Sequence, residues 1–280
     1  MKTKSSFTVS ATLMERLKRM FLDHYQTVLV VLGFFLLWEI LVRLLHVAEY
    51  VLPTPSSALA HLFLPQPDAN YNWKLHISAT IYEFVISFVV TGIVGVGLSI
   101  IMIWSKAIRD LLMPAFIFIN SLPIIAVAPI ILLWMGYGIK TNILIAFLVS
   151  FFPVVVNTVT GLDDIEDDLL DLVRYLNASK WQIFYKIRIP NALPFIFSGL
   201  KICTTLSVMG AIVGEFIASD RGLGYIIINS QYSMDTPPIF SALIIISFAG
   251  AIMYSIVVML EHLCMPWILV KTHVDEGVLE

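Results

Sequence analysis

Residues 141–162 read TNILIAFLVSFFPVVVNTVTGL, and residues 163–194 continue DDIEDDLLDLVRYLNASKWQIFYKIRIPNALP. The first stretch carries no charge and is long enough to cross lipid as a helix, which takes roughly 20 mainly apolar residues. The second is charged and amphipathic, breaks at Asn177 and ends at Pro190 and Pro194. A membrane span followed directly by a patterned segment outside the membrane is the unit from which the rest is read.

The same alternation runs along the chain. Of 280 residues 59% are hydrophobic and 13% charged, against roughly 25% charged in soluble domains. The missing charge is concentrated in runs at 84–105, 111–139, 141–162 and 236–260. Two further apolar runs carry isolated charges: 26–46 with Glu39 and Arg43, and 191–217 with Lys201 and Glu215. These predict an all-α membrane protein of six transmembrane helices, since a β-barrel shows short alternating segments. Lys and Arg number twelve in the N-terminal tail, the second and fourth loops and the C-terminal tail, against Lys74, Lys140 and Arg221 in the other loops. Basic loops stay in the cytoplasm, so both termini are expected there. The expected organisation is a cytoplasmic tail or interfacial helix over 1–25, with residues 11–24 as the helix, a transmembrane domain over 26–270 and a cytoplasmic tail over 271–280.

No chemistry is prominent. Cys203 and Cys264 fall in predicted spans and read as small buried residues. The six histidines lack metal-ligand spacing. No cleavable signal, Walker motif, HExxH, nucleophile elbow or dinucleotide fingerprint is present. No catalytic residue, metal site or bound cofactor is therefore expected. Intramembrane charges are functional candidates by default. Glu39 and Arg43 stand four apart and pair on one helix face. Lys201 is long enough to snorkel. Glu83 and Glu215 lie near the outer ends of the second and fifth spans. For Glu215 a part in function and a hydrogen-bonded structural role stand side by side. The GLG at 222–224 reads as a tight turn, and SSALAHLF at 56–63 as a short helix in the first outer loop. Pro114, Pro123 and Pro129 place the run 111–139 inside a bundle, beside a path. Asn157, Thr158 and Thr160 serve either as interhelical glue or as pore lining.

The patterned loop reads as two helices. In the first, Ile165, Leu169, Leu172, Val173 and Leu176 recur at helical spacing, with Asp164, Asp167, Asp168, Asp171 and Arg174 opposite. Asn177 suits the left-handed conformation that ends a helix. Ser179 and Gln182 form a capping box for the second helix, on which Trp181, Phe184 and Ile187 share a face. Pro190 and Pro194 are expected to separate it from the fifth span. The acidic first helix suits a protein partner better than anionic lipid.

This segment is similar to the EAA loop of permeases in binding-protein-dependent ABC importers. Asp171, Leu172 and Val173 stand at the Glu-Ala-Ala positions, Asn177 at the glycine and Ile189-Pro190 at the closing apolar–Pro pair. VLPTP (51–55), PIIAVAPIILLWMGYGIKTNI (123–143), FFPVVVNTVTGL (151–162) and GEFIASDRGLGYIIINS (214–230) resemble the nitrate/sulfonate/taurine branch. The resemblance covers about residues 35–270. It implies a type I importer-like permease fold in the bacterial inner membrane. The implied partners are a second permease copy or paralogue, two ABC ATPase subunits that bind the ATP and Mg, and an outer substrate-binding protein. Residues 163–188 would be the coupling helices, with Asp171, Arg174, Tyr175, Asn177, Ala178, Ser179, Trp181 and Phe184 meeting the ATPase. Asn120, Ser121, Pro123, Asn157, Ser207, Met209 and Glu215 would line the translocation path. An intramembrane enzyme or sensor is the alternative, and it would need facing catalytic groups within the spans or a larger soluble domain.

The orientation is testable by single-cysteine labelling in a background without Cys203 and Cys264. Cysteine at Lys74 should react from the outer face, and cysteine at Ser179 only once the membrane is permeabilised. Outer labelling of position 179 would overturn the assignment.

Overall fold

The computed structural model describes residues 29–63, apart from residue 31, and 72–265. The helix expected at 11–24 and the tail from 271 lie outside the described residues. The described residues form helices α1 (residues 32–44), α2 (Pro55–Phe63), α3 (Trp73–Trp104), α4 (Lys106–Asn120), α5 (Ile124–Met135), α6 (Ile139–Asp163), α7 (Asp167–Tyr175), α8 (Lys180–Ile183), α9 (Ile189–Ala218), α10 (Leu223–Tyr232) and α11 (Thr236–Cys264).

The described residues form two compact units, one holding those up to Phe63 together with 234–241 and the other the remainder. In the first unit, Arg43 Nε donates to Glu39 Oε1 at 2.6 Å, the expected pair. Glu39 also accepts from the Ser56 backbone N–H at 3.0 Å and its hydroxyl at 2.8 Å. A carboxylate at the start of α2 satisfies donors that the helix itself leaves open. Trp38 packs on Phe240 with ring centroids 5.4 Å apart.

In the second unit α3, α6 and α9 form the centre, and small and polar residues recur on their buried faces beside apolar ones such as Met102 and Ile145. On α3 the buried positions include Ala79, Thr80, Glu83, Ser87, Thr91, Gly95 and Ser99. Lipid gives no reward for hiding leucine, so helices in it associate through close approach and hydrogen bonds. Three rungs join α3 to the parallel α6: Asn142 Nδ2 donates to Glu83 Oε1 at 2.9 Å, Thr91 and Ser150 hydroxyls bond at 3.1 Å, and Ser99 Oγ donates to Val155 O at 3.2 Å. α9 runs antiparallel to α6 and presents glycines. A Cβ on Gly210 would stand 2.5 Å from Ala146 Cα, and one on Gly214 2.8 Å from Asn142 Cα. Lys201 Nζ bonds Glu261 Oε2 at 2.6 Å, tying α9 to α11.

Two expectations need correction. The run 111–139 is not one helix: α4 and α5 meet at 99°. Pro123 has no N–H to give, and it disfavours helical geometry at Leu122, so the chain turns at 121–123. Nor do Pro190 and Pro194 separate the second loop helix from the fifth span. Residues Lys180–Ala218 form one continuous 39-residue helix, which passes through a π-helical turn at Phe184–Arg188. There Ile189 N–H bonds Phe184 O, five residues back. The wider turn lets Pro190 sit at the start of α9, where a missing N–H costs no bond.

Four described helices are long and apolar enough to cross a bilayer: α3, α6, Lys180–Ala218 and α11. The bent α4–α5 pair is a fifth if it counts as one span. The expected span at 26–46 lies only partly among the described residues.

Lys201 and Glu261 are half-buried, so losing one partner of this charged hydrogen bond should cost about 1.5–3 kcal/mol. Lys201→Met or Glu261→Gln alone should sharply lower the thermal midpoint of the purified protein. The double variant should recover most of the loss.

Candidate functional site

The patterned loop is anchored at its base. Asp163 pairs with Arg109 of α4 and lies 3.6 Å from Arg188 Nη1. Arg188 Nη1 donates to Leu162 O at 2.7 Å, and Asn191 Nδ2 donates to Gly161 O and Asp164 O at 3.2 and 2.6 Å. These bonds satisfy carbonyls that the end of α6 leaves open. α7 then ends as its sequence requires. Asn177 has φ +57°, and Ala178 N–H bonds Val173 O at 3.0 Å, the six-to-one bond of a Schellman ending. Ser179 and Gln182 close the capping box: Gln182 N–H donates to Ser179 Oγ at 3.2 Å, and Ser179 N–H to Gln182 Oε1 at 2.8 Å.

Between these fixed ends the apolar side chains divide. Leu170 and Phe184 turn inward, and Phe184 packs with Leu162 and Ala192. Trp104, Trp181 and Phe184 form an aromatic group with centroids 5.0–6.1 Å apart. Leu172, Tyr175, Leu176 and Trp181 stay exposed, Tyr175 at 85% and Trp181 at 69%. Asp171, Asn177 and Ser179 are exposed beside them, Ala178 is half-buried, and Arg174 stands on the last turn of α7. A cavity of about 370 Å³ opens between Ile103, Trp104, Leu170, Ala178, Ile183 and Phe184.

The residues expected along a path do not share one environment. Asn120, Ser121 and Pro123 are exposed at the α4–α5 bend, and Met209 is exposed on α9. Asn157 is half-buried and donates to Pro153 O at 2.8 Å. Ser207 and Glu215 are buried.

Glu215 belongs to a cluster that single-residue reading did not assemble. Its Oε1 accepts from Thr80 Oγ1 at 2.5 Å, and its Oε2 from Gly224 N–H. Leu223 N–H donates to Thr80 Oγ1 at 2.8 Å, and Gly222 N–H to His76 Nδ1 at 3.0 Å. The His76 ring stacks on Tyr225 at 5.8 Å. The start of α10 thus points its free N–H groups at a carboxylate, directly and through a hydroxyl. Gly222 has φ +110°, and a Cβ there would overlap the Glu215 carboxyl group. Glu83 faces Glu215 and accepts from Asn142. The legible signal was the polar stripe His76, Thr80, Glu83, Ser87 and Thr91, spaced at three and four along an otherwise apolar helix. Outside the spans, Asp220 is held below the usual carboxylate range by its hydrogen bond with Arg221.

Three comparisons bear on this arrangement. The family described as "Binding-protein-dependent transport system inner membrane component" matches residues 92–263. The formylaminopyrimidine transport permease protein ThiX of Halalkalibacterium halodurans is 31% identical over 231 residues, 82% of this chain and 91% of that protein. The putative aliphatic sulfonates transport permease protein SsuC of Bacillus subtilis is 28% identical over 233 residues, 82% and 83% of the two chains. An inward-facing structure of the MetNI methionine ABC transporter superposes with a TM-score of 0.51 at 19% identity, covering 65% of this chain and 94% of that one, which shows a shared fold.

Gly222→Ala should lower the thermal midpoint of the purified protein, since the added methyl meets the Glu215 carboxyl group and the backbone is left-handed. The expected cost is about 1–3 kcal/mol. An unchanged midpoint would mean the turn relaxes freely.

Proposed function

Because the chain belongs to the family of binding-protein-dependent transport system inner membrane components, we propose that its 163–188 loop is the docking element for a separate ABC ATPase, and that the protein moves a small solute handed to it by a substrate-binding protein. It is a transport subunit of an ABC importer with a type I permease fold, and the nitrate/sulfonate/taurine branch fits. The enzyme or sensor alternative finds no support among the relatives. The observation that carries the docking role is the anchored helical hairpin with its apolar side chains turned outward: Leu172, Tyr175, Leu176 and Trp181. Such side chains, rimmed by Asp171 and Ser179, suit a protein groove.

In this reading two permease subunits and two ATPase subunits make the pump, and ATP and Mg are held by the ATPases. Both termini and the loop face the cytoplasm, in keeping with the Lys and Arg distribution. The path runs along the α4–α5 bend and the exposed face of α9 around Met209. Two similar permeases are named for a formylaminopyrimidine and for aliphatic sulfonates. These cargoes share little chemistry, which supports selection by the binding protein rather than by residues of this chain.

The turn at Asn177 gives the test. Asn177→Gly keeps the left-handed backbone and should preserve ATPase co-purification and uptake in proteoliposomes. Asn177→Val places a β-branched residue there at a cost of about 1–2 kcal/mol. It should reduce co-purification, or leave ATP hydrolysis running without uptake, while the spans stay folded. Equal coupling in the two variants would mean that the turn at Asn177 does not set the angle between the coupling helices.

A further inference from the structure

Glu83 and Glu215 are 0% and 1% exposed, and they are brought together by Thr80, one turn before Glu83, which donates to Glu215, and by Asn142, which donates to Glu83 and packs against Gly214. Their donors are unequal. Glu215 receives Thr80 Oγ1–H on one oxygen and Gly224 N–H on the other, at the N-terminus of the ten-residue α10. Glu83 receives Asn142 Nδ2–H on Oε1, and its Oε2 has no donor among the described residues. Asn142 Oδ1, equally buried, also lacks a donor.

Two ionised carboxylates in contact repel, and a buried acceptor without a donor is costly. One hydrogen atom on Glu83 Oε2 removes both costs, because it donates to the Glu215 carboxylate. The asymmetry of donors fixes its side: the helix N-terminus and the Thr80 hydroxyl favour negative charge on Glu215, while a single amide supports Glu83. No Lys or Arg is paired with either carboxylate among the described residues. The titratable and charged groups around the pair are His76 from α3, which meets Gly222 and stacks on Tyr225 of α10, and Asp220 and Arg221 from the turn. Asp220 and Arg221 are bonded to each other at 3.1 Å. α6 brings only uncharged Asn142.

We propose that Glu83 and Glu215 form a proton-binding site in which a protonated Glu83 donates to an ionised Glu215, and that this proton holds the 218–224 turn against α3 and α6. Loss of the proton sets two buried carboxylates against each other beneath the start of α10. The bonds from Leu223 and Gly224 are the ones that would open. The stabilising contribution is present while the proton is bound and is lost as pH rises through its release.

The purified wild-type protein, labelled with carboxyl-13C glutamate, gives a measurement that needs no variant. At neutral pH its infrared spectrum should contain a protonated-carboxyl stretch that shifts with the label and in D2O, since exposed glutamates are ionised there. Absence of a label-sensitive band overturns the proposal. Glu83→Gln, which keeps a donor on that side, should lose the band and retain the thermal midpoint. The midpoint should fall at alkaline pH in the wild type and stay flat in Glu83→Gln. Persistence of the band in folded Glu83→Gln, or the same alkaline fall in both proteins, would also overturn it. The infrared and thermal readouts are independent of transport, so they fail separately from the importer reading. An alkaline loss of uptake that Glu83→Gln abolishes would then link the site to the pump.

Discussion

The close approach of α6 and α9 is the constraint on which the second unit depends. In hydrocarbon a leucine gains little by turning inward, so the helices must be held by backbone proximity and by hydrogen bonds. Gly210 against Ala146 and Gly214 against Asn142 bring the two axes together. That proximity places Asn142 where it reaches Glu83 on α3. The same stretch of α9 carries Glu215, so the glycine seam and the acidic pair are one piece of architecture. Larger side chains along the seam would separate the helices and the polar groups together.

The two ends of α9 are organised differently. Towards Lys180 the helix is braced by charge, with Arg188 and Asn191 closing the end of α6 and Arg109 joining through Asp163. Towards Ala218 it is braced by a buried carboxylate that caps α10. The first end leaves apolar side chains bare on α7 and α8, and the second leaves none of its cluster exposed. The two ends therefore differ in kind: one presents bare apolar side chains, and the other is an internal joint that holds α3, α9 and α10 in register.

What could be read from the chain depended on the range of the interaction. Asn177, Ser179 and Gln182 announced their turn and cap because both are settled within a few residues. Of the GLG expected to form a tight turn, only Gly222 does so, while Leu223 and Gly224 open α10; the reason for glycine at 222, the Glu215 carboxyl group, was not legible. The prolines misled in opposite ways. Pro123 broke a run that hydropathy alone would have kept whole, and Pro190 failed to break one, because a π-turn five residues wide absorbed it. Counting charges singled out Glu83 and Glu215 separately. Their meeting spans more than a hundred residues and needed the polar stripe on α3, which a search for apolar periodicity passes over.

The unbroken run from Lys180 to Ala218 has a mechanical consequence. At about 1.5 Å per residue, its 39 residues reach roughly 58 Å. The π-helical turn at Phe184–Arg188 and Pro190 lie in its first third, so any movement of the loop helix reaches the glycine seam at Gly210 and Gly214 through that turn. Trp181 lies before that turn and Glu215 beyond the seam, so the exposed aromatic side chain of the loop and the buried carboxylate belong to one continuous helix.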